Sequence, residues 1–263
     1  MDLIGTTMLR ATLALWKRDI VRFCRQRSRI VGALGTPIVF WALLGSGLGS
    51  SFQVGPSATP DGGYLEYFYP GTLALIVLFT AIFSTISVIE DRHEGFLQGV
   101  LVAPLPRSTI VLGKILGGTT LAVMQATLFL LLAPVANTQI SLLTLPIMWI
   151  VLTALAFALT GLGFVLAWTL DSTQGFHAVM NVILFPMWLL SGAVFPETGA
   201  SGWVQVAMFL NPMTYGVSAI RSVLTINDPS MLSTDLIGSL TVIGLFGIAM
   251  LVASTISIKS RHI

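Results

Sequence analysis

Three places in the chain hold residue types that catalysis could use, and at each the spacing falls short. His93-Glu94 opens like a zinc-protease helix, in which two histidines four residues apart hold the metal while the glutamate activates water. Position 97 is Leu97, so the second ligand is missing. Gly113-Lys114, the only Gly-Lys pair, runs into Ile115 and lacks the preceding glycine of a phosphate-cradling loop, so the chain is not expected to bind ATP in that way. Ser191-Gly192 with His177 could supply the nucleophile and base of an intramembrane hydrolase, yet a serine beside a glycine in an apolar run is far more often a helix-packing pair. Cys24 is the single cysteine, which excludes an internal disulfide and a thiolate metal site. Neither a cofactor nor a metal is expected, and no catalytic residue is assigned.

The densest grouping of versatile side chains is Glu90-Asp91-Arg92-His93-Glu94-Gly95, which runs on through Phe96, Leu97, Val100 and Leu101 to Pro104 and Pro106. It reads as a short helix with its acids in the first turn, where they complement the helix dipole. Phe96, Leu97, Val100 and Leu101 then share one face, the two prolines end the helix, and Ser108 stands to cap the next span. Such a helix can dock into a groove on a partner protein or pack against its own chain, and the spacing allows both.

What positions this segment is decided by composition. Of 263 residues 55% are hydrophobic and 9% charged, with a mean hydropathy of +0.90; soluble domains carry about 25% charged residues, so the outer face of this chain must meet lipid. A bilayer core needs roughly 20 apolar residues per helix. Cutting the sequence at its charges predicts an all-α, polytopic membrane protein with six spans: 30–51, 68–89, 110–133, 142–170, 176–195 and 236–258. The break in the uncharged run 115–170 falls at the Pro, Asn and Gln of 134–139. The runs are too long and too uniformly apolar for barrel strands. A net charge of +2 offers no nucleic-acid footprint.

Lys and Arg are distributed twelve to one: seven before the first span, three between the second and third, two after the last, and Arg221 alone opposite. The positive-inside rule puts both termini and the 90–108 segment in the cytoplasm of a multi-pass cell-membrane protein, a bacterial inner membrane in the first instance. No span carries an ionisable residue in its middle, which argues against ion-coupled transport, where such groups bind the coupling ion. A self-contained carrier or channel that uses backbone carbonyls is the alternative that stays open.

Residues 1–29 form a further unit. Leu9, Leu13, Trp16, Ile20 and Phe23 recur at helical spacing beside a basic face of Lys17, Arg18, Arg22, Arg25 and Arg29, which predicts an amphipathic helix lying in the membrane interface with its arginines near anionic headgroups. Between 195 and 213, Phe195-Pro196 and Asn211-Pro212 bracket an apolar piece, 203–210, too short to span; it predicts an interfacial or re-entrant hairpin on the outer side, with Trp203 and Tyr215 at headgroup depth. The resulting plan is an interfacial helix over 1–29, a six-span domain over 30–258 and a cytoplasmic tail over 259–263.

Glu90-Asp91-Arg92, Gly95, Leu97, Leu101 and Ala103-Pro104-Leu105-Pro106-Arg107, followed by Val111-Leu112-Gly113-Lys114, resemble the permease subunits of type-2 ABC exporters, the family that exports O-antigen, teichoic acid, nodulation factors and anthracycline drugs. Leu190-Ser191-Gly192-Ala193-Val194-Phe195-Pro196 and Leu210-Asn211-Pro212-Met213-Thr214-Tyr215 with Ile220-Arg221 resemble the family's fifth span and outer hairpin. The resemblance covers nearly the whole chain. It implies that two permease chains pair around a pathway for a hydrophobic, drug-like or lipid-linked substrate, and that separate ATPase subunits dock from the cytoplasm. It also implies that residues 90–101 form the coupling helix, with Glu90, Asp91, Arg92, Gly95, Phe96, Leu97, Leu101 and Pro104 as its functional residues. Ser191, Gly192, Phe195, Pro196, Asn211 and Pro212 would form the outer hairpin, and the partners would be an ATPase, a second copy and the bilayer.

Overall fold

The computed structural model describes residues 2–48, 63–103, 105–138, 140–225 and 233–260, and within these every regular element is helical. Pro104, Gln139 and the outer end of the first predicted span lie outside the described residues. Six helices are long and apolar enough to cross a membrane: Arg27–Gly47, Tyr64–His93, Arg107–Leu130, Leu145–Thr169, Thr173–Ala193 and Thr234–Ile258. They match the six predicted spans in number and order.

α1 (Asp2–Arg25) is separated from α2 (Arg27–Leu48) by a one-residue break at Gln26, whose N–H still bonds the Phe23 carbonyl at 2.9 Å. α3 (Tyr64–His93) is the axis of the bundle; nearly every side chain from Phe68 to Ile89 is withdrawn from the surface, against α2, α5 (Arg107–Leu130) and α6 (Leu145–Thr169). Its 30 residues rise about 45 Å, well beyond a hydrocarbon core of about 30 Å. That length leaves room for its charged last turn to lie past the apolar zone. Close approach of α5 to α3 and α6 depends on Gly118, where a Cβ would lie 2.3 Å from the Ser84 hydroxyl and 2.6 Å from a Thr160 methyl. A 3-10 turn (Ala133–Ala136) ending at Asn137, φ 54°, breaks the long uncharged run where proline and asparagine predict it.

The short helix of the charged segment does not begin at its acids. Glu90, Asp91, Arg92 and His93 complete α3, and α4 (Phe96–Val102) starts only after Gly95, which adopts φ +75°. That left-handed step suits glycine, which has no Cβ to clash with the carbonyl, and it ends one helix so that another can leave at a new angle. The carboxylates therefore sit at the C-terminal end of a helix, where the dipole opposes them; something else must compensate. Ser108 is not a cap either: Pro106 occupies that position without a side-chain bond, and Ser108 lies inside the first turn of α5.

The fifth span is broken where one continuous helix is predicted. α7 (Thr173–Val179) passes through a π turn (Met180–Leu184) into α8 (Phe185–Trp188), and a second π turn (Leu189–Ala193) closes it. Pro186 cannot donate to the preceding turn, which accounts for the first widening. Gly192, φ +75°, with Leu190 at ψ 28°, ends the second. Beyond it come α9 (Gly202–Leu210), α10 (Pro212–Thr225) and α11 (Thr234–Ser260). The sequence pattern does not predict α10 as a helix; it packs Met213, Val217, Ile220 and Val223 into the bundle.

Candidate functional site

The carboxylates at the end of α3 find their compensation on α1. Asp91 has no exposed surface. It accepts both guanidinium nitrogens of Arg18, at 2.6 and 2.8 Å, and one of Arg22 at 2.5 Å. Arg22 reaches Glu94 at 3.0 Å and Glu90 at 3.0 Å, and Arg29 pairs with Glu90. From α5, Lys114 donates to Asp91, to Asp19 of α1 at 2.9 Å and to the Ser87 hydroxyl at 3.2 Å. Four cations face four carboxylates, so the cluster is charge-balanced, which a buried ion group requires to repay its desolvation. Burial pushes the Asp19 carboxyl above its ordinary range even with the Lys114 ammonium beside it, while the bond to Asp91 holds Arg18 firmly protonated.

The basic face of α1 is thereby divided. The guanidinium groups of Arg18 and Arg22 bond carboxylates of the same chain instead of reaching for headgroups, because the acids lie within reach and Lys114 and Arg29 alone do not balance them. Lys17 and Arg25 remain exposed, as do Leu9, Leu13 and Val21, so an apolar stripe faces outward beside the paired one. Trp16 donates its indole N–H to the Thr120 hydroxyl at 3.0 Å and packs α1 along α5.

Arg92, placed by sequence with the coupling residues, turns the other way. Its guanidinium donates to the carbonyls of Trp168, at 2.8 Å, and Leu170, satisfying the bare C-terminal end of α6. His93 Nε2 meets the Asp171 carbonyl at 2.7 Å. The junction of α3 and α4 is thus tied to α1, α5 and α6 at once.

α4 itself hangs on this junction. Leu97 is buried, while Phe96, Val100 and Leu101 are half-buried against the same core, and the Arg18 guanidinium lies 3.6 Å over the Phe96 ring. The apolar face that could have docked into a partner is consequently turned onto its own bundle. Gln98, Gly99 and Val102, the last 86% exposed, form the outward face, flanked by Glu94. Sequence reasoning missed this face, together with Asp19 and Lys114.

At the other end of the bundle the broken fifth span is stitched by side chains. The Asn211 amide donates to the carbonyls of Met187, at 2.5 Å, and Leu190, at 2.9 Å, and its oxygen accepts the Met213 N–H at 3.0 Å. Tyr67 and Arg221 both donate to the Gly192 carbonyl, at 3.1 and 3.2 Å, and Tyr64 to that of Val194 at 3.1 Å. Phe195 and Pro196 lead from there toward α9, whose Trp203, Val206 and Phe209 are exposed, and Pro212 opens α10 directly after Asn211. Ser191 donates to the Trp188 carbonyl at 2.5 Å. His177 lies exposed in α7, fourteen residues and about 20 Å of helix from Ser191. The two cannot share a proton, and no hydrolase dyad exists here.

The profile of the ABC-2 type transporter family matches residues 10–225. The chain is 28% identical over 211 residues to a transport permease, ycf38, of Cyanophora paradoxa, covering 79% of this chain and 71% of that one. It is 30% identical over 215 residues to nodulation protein J of Rhizobium leguminosarum bv. viciae, covering 80% of each. A shorter match, 26% over 157 residues, relates 59% of it to 43% of YbhR, a multidrug ABC transporter permease of Escherichia coli K12. An all-helical chain with six candidate spans, its charged α3–α4 junction held at one end and its broken fifth span at the other, belongs to the ABC-2 type transporter permease family.

Proposed function

We propose that this chain is one of two copies of a permease that exports a hydrophobic, drug-like or lipid-linked substrate, driven by a separate ATPase that presses on α4 from the cytoplasm. As a permease of an ABC transporter it carries no ATPase activity of its own and works with an ATPase subunit. The single observation that carries the coupling role is the mounting of α4: a seven-residue helix fixed on its inner side, with Gln98, Gly99 and Val102 uncovered on its outer side. Glu90, Asp91, Arg92, Gly95, Phe96, Leu97 and Leu101 hold this helix in place, and the outward face makes the contact. Pro104 lies outside the described residues.

The remaining parts take matching roles. The twelve-to-one distribution of Lys and Arg along the sequence supports cytoplasmic termini. α9 and the turn before it form the outer hairpin, a re-entrant or interfacial piece carrying exposed Trp203 and Phe209 at lipid depth. The outward stripe of α1, with Leu9, Leu13 and Val21, lies in the inner membrane interface. α2 and the fifth span expose Val39, Leu43, Val182 and Ile183 and meet the second copy. The multidrug permease of Escherichia coli, by its name, supports a drug-like cargo.

Co-purification in mild detergent tests the reading. The native protein retains a P-loop ATPase, whereas Val102→Arg, on the outward face, inserts normally and loses it. Retention of the ATPase by Val102→Arg and by Gly99→Trp alike refutes the docking face, and export by the purified chain in ATP-free liposomes refutes the external drive.

A further inference from the structure

We propose that Lys114 is a positioning residue of the transport cycle, clamping α1 to the α3–α5 junction so that the three helices move as one body when α4 is pushed. The inference rests on the coupling role of α4 given above, and extends it to a helix that α4 does not adjoin in sequence.

The geometry is specific to a clamp. Lys114 is 4% exposed, and its ammonium has three donors, all used: one to α1 through Asp19 and two to α3 through Ser87 and Asp91. One side chain of α5 thereby joins three helices. On either side of it the backbones touch, since a Cβ at Gly113 would lie 2.8 Å from that of Leu15 and one at Gly117 would lie 3.3 Å from that of Asp19. Leu15, Asp19 and Phe23 are the buried stripe of α1, so the clamp lies at the centre of the α1 contact. Asp91 is shared between Lys114 and the two arginines of α1, one turn before α4 begins. Any displacement of α4 reaches Asp91 through Gly95, and from Asp91 it passes to α1 and α5 together. An apolar contact would hold α1 equally well but would let it slide or rotate; a three-way ion bond fixes register.

The test uses a Cys24→Ser background with Trp16→Cys and Thr120→Cys, whose native side chains meet across the α1–α5 contact. In membranes without the ATPase, cross-linking of the pair by a short bifunctional thiol reagent is expected to run at least 10-fold more slowly when Lys114→Met is added, and several-fold more slowly with the milder Asp19→Asn. Equal rates in all three overturn the clamp. The second arm uses the full complex in liposomes, with maleimide labelling of Trp203→Cys in the Cys24→Ser background before and after trapping with ATP and vanadate. Lys114→Met is expected to keep the ATPase bound and hydrolysing while the nucleotide-driven change in labelling falls at least 5-fold. A normal labelling change in Lys114→Met, or loss of the ATPase from it, overturns the proposal. Absence of any nucleotide-driven change in the otherwise native protein overturns the coupling role of α4 instead, and the first arm still judges the clamp on its own.

Discussion

Replacing Asp91 by Asn is the most direct test of the ion cluster. The native carboxylate accepts four charged hydrogen bonds, two from Arg18, one from Arg22 and one from Lys114. Asparagine keeps one acceptor and turns an amide N–H₂ toward cations, leaving four positive groups over three negative ones. Breaking a buried ion pair costs about 3–5 kcal/mol. Arg18 and Arg22 are 31% and 21% exposed, so water recovers part of their share, and the lower end, about 3 kcal/mol, is expected. At about 2–4 °C per kcal/mol for a chain of this size, the midpoint of a tryptophan-fluorescence melt in detergent falls by about 6–12 °C. Adding Lys114→Met removes the surplus cation, and the double variant is expected to recover more than half of the loss. A shift below about 2 °C in Asp91→Asn, or losses that simply add in the double variant, refutes a coupled buried cluster.

Three further outcomes are expected. Arg92→Met uncaps α6 and lowers stability by about 2 kcal/mol, the worth of a charged hydrogen bond to carbonyl oxygens, seen as faster amide exchange around Trp168. Gly95→Ala meets no neighbour within 4 Å, so its cost is the left-handed backbone alone, about 1–2 kcal/mol; Gly95→Asn should cost less, and equal melts for the two variants would contradict the assignment. Asn211→Ala frees the carbonyls of Met187 and Leu190 at about 1–3 kcal/mol, which raises proteolysis between α8 and α9 while leaving the Asp91 end untouched.

Much of this arrangement is legible in the sequence, and the exceptions share a cause. Span number and order follow from charge spacing, because lipid admits no unpaired ion and long uncharged runs therefore mark the spans. The break at Pro134 and the apolar piece at Trp203 follow from turn chemistry and length. The acid-first reading of α4 fails because the helix dipole favours carboxylates at a beginning, and only tertiary contact with α1 permits them at an end. Lys114 and Asp19 look like surface charges for the same reason: each is one ion in a polar stretch until the partner helix arrives. A signal for them was present, since Asp19 lies midway between Leu15 and Phe23 on one helical stripe, and Lys114 lies between Gly113 and Gly117 inside α5. A charge in register with apolar and small residues belongs to a contact. The π turns of the fifth span carried only Pro186 as a hint, and a proline alone does not say how a helix yields.

The same arginines serve the molecule at two moments of its life. On the proposed orientation, Arg18, Arg22 and Arg29 would stand as bare cations that hold the amino-terminal side back from translocation until α3 and α5 emerge. Once the later helices arrive, Glu90, Asp91 and Glu94 quench that charge, and what had been an address becomes internal structure. On that orientation a substitution at these positions would act twice, first on which way round the protein inserts and then on how it holds together.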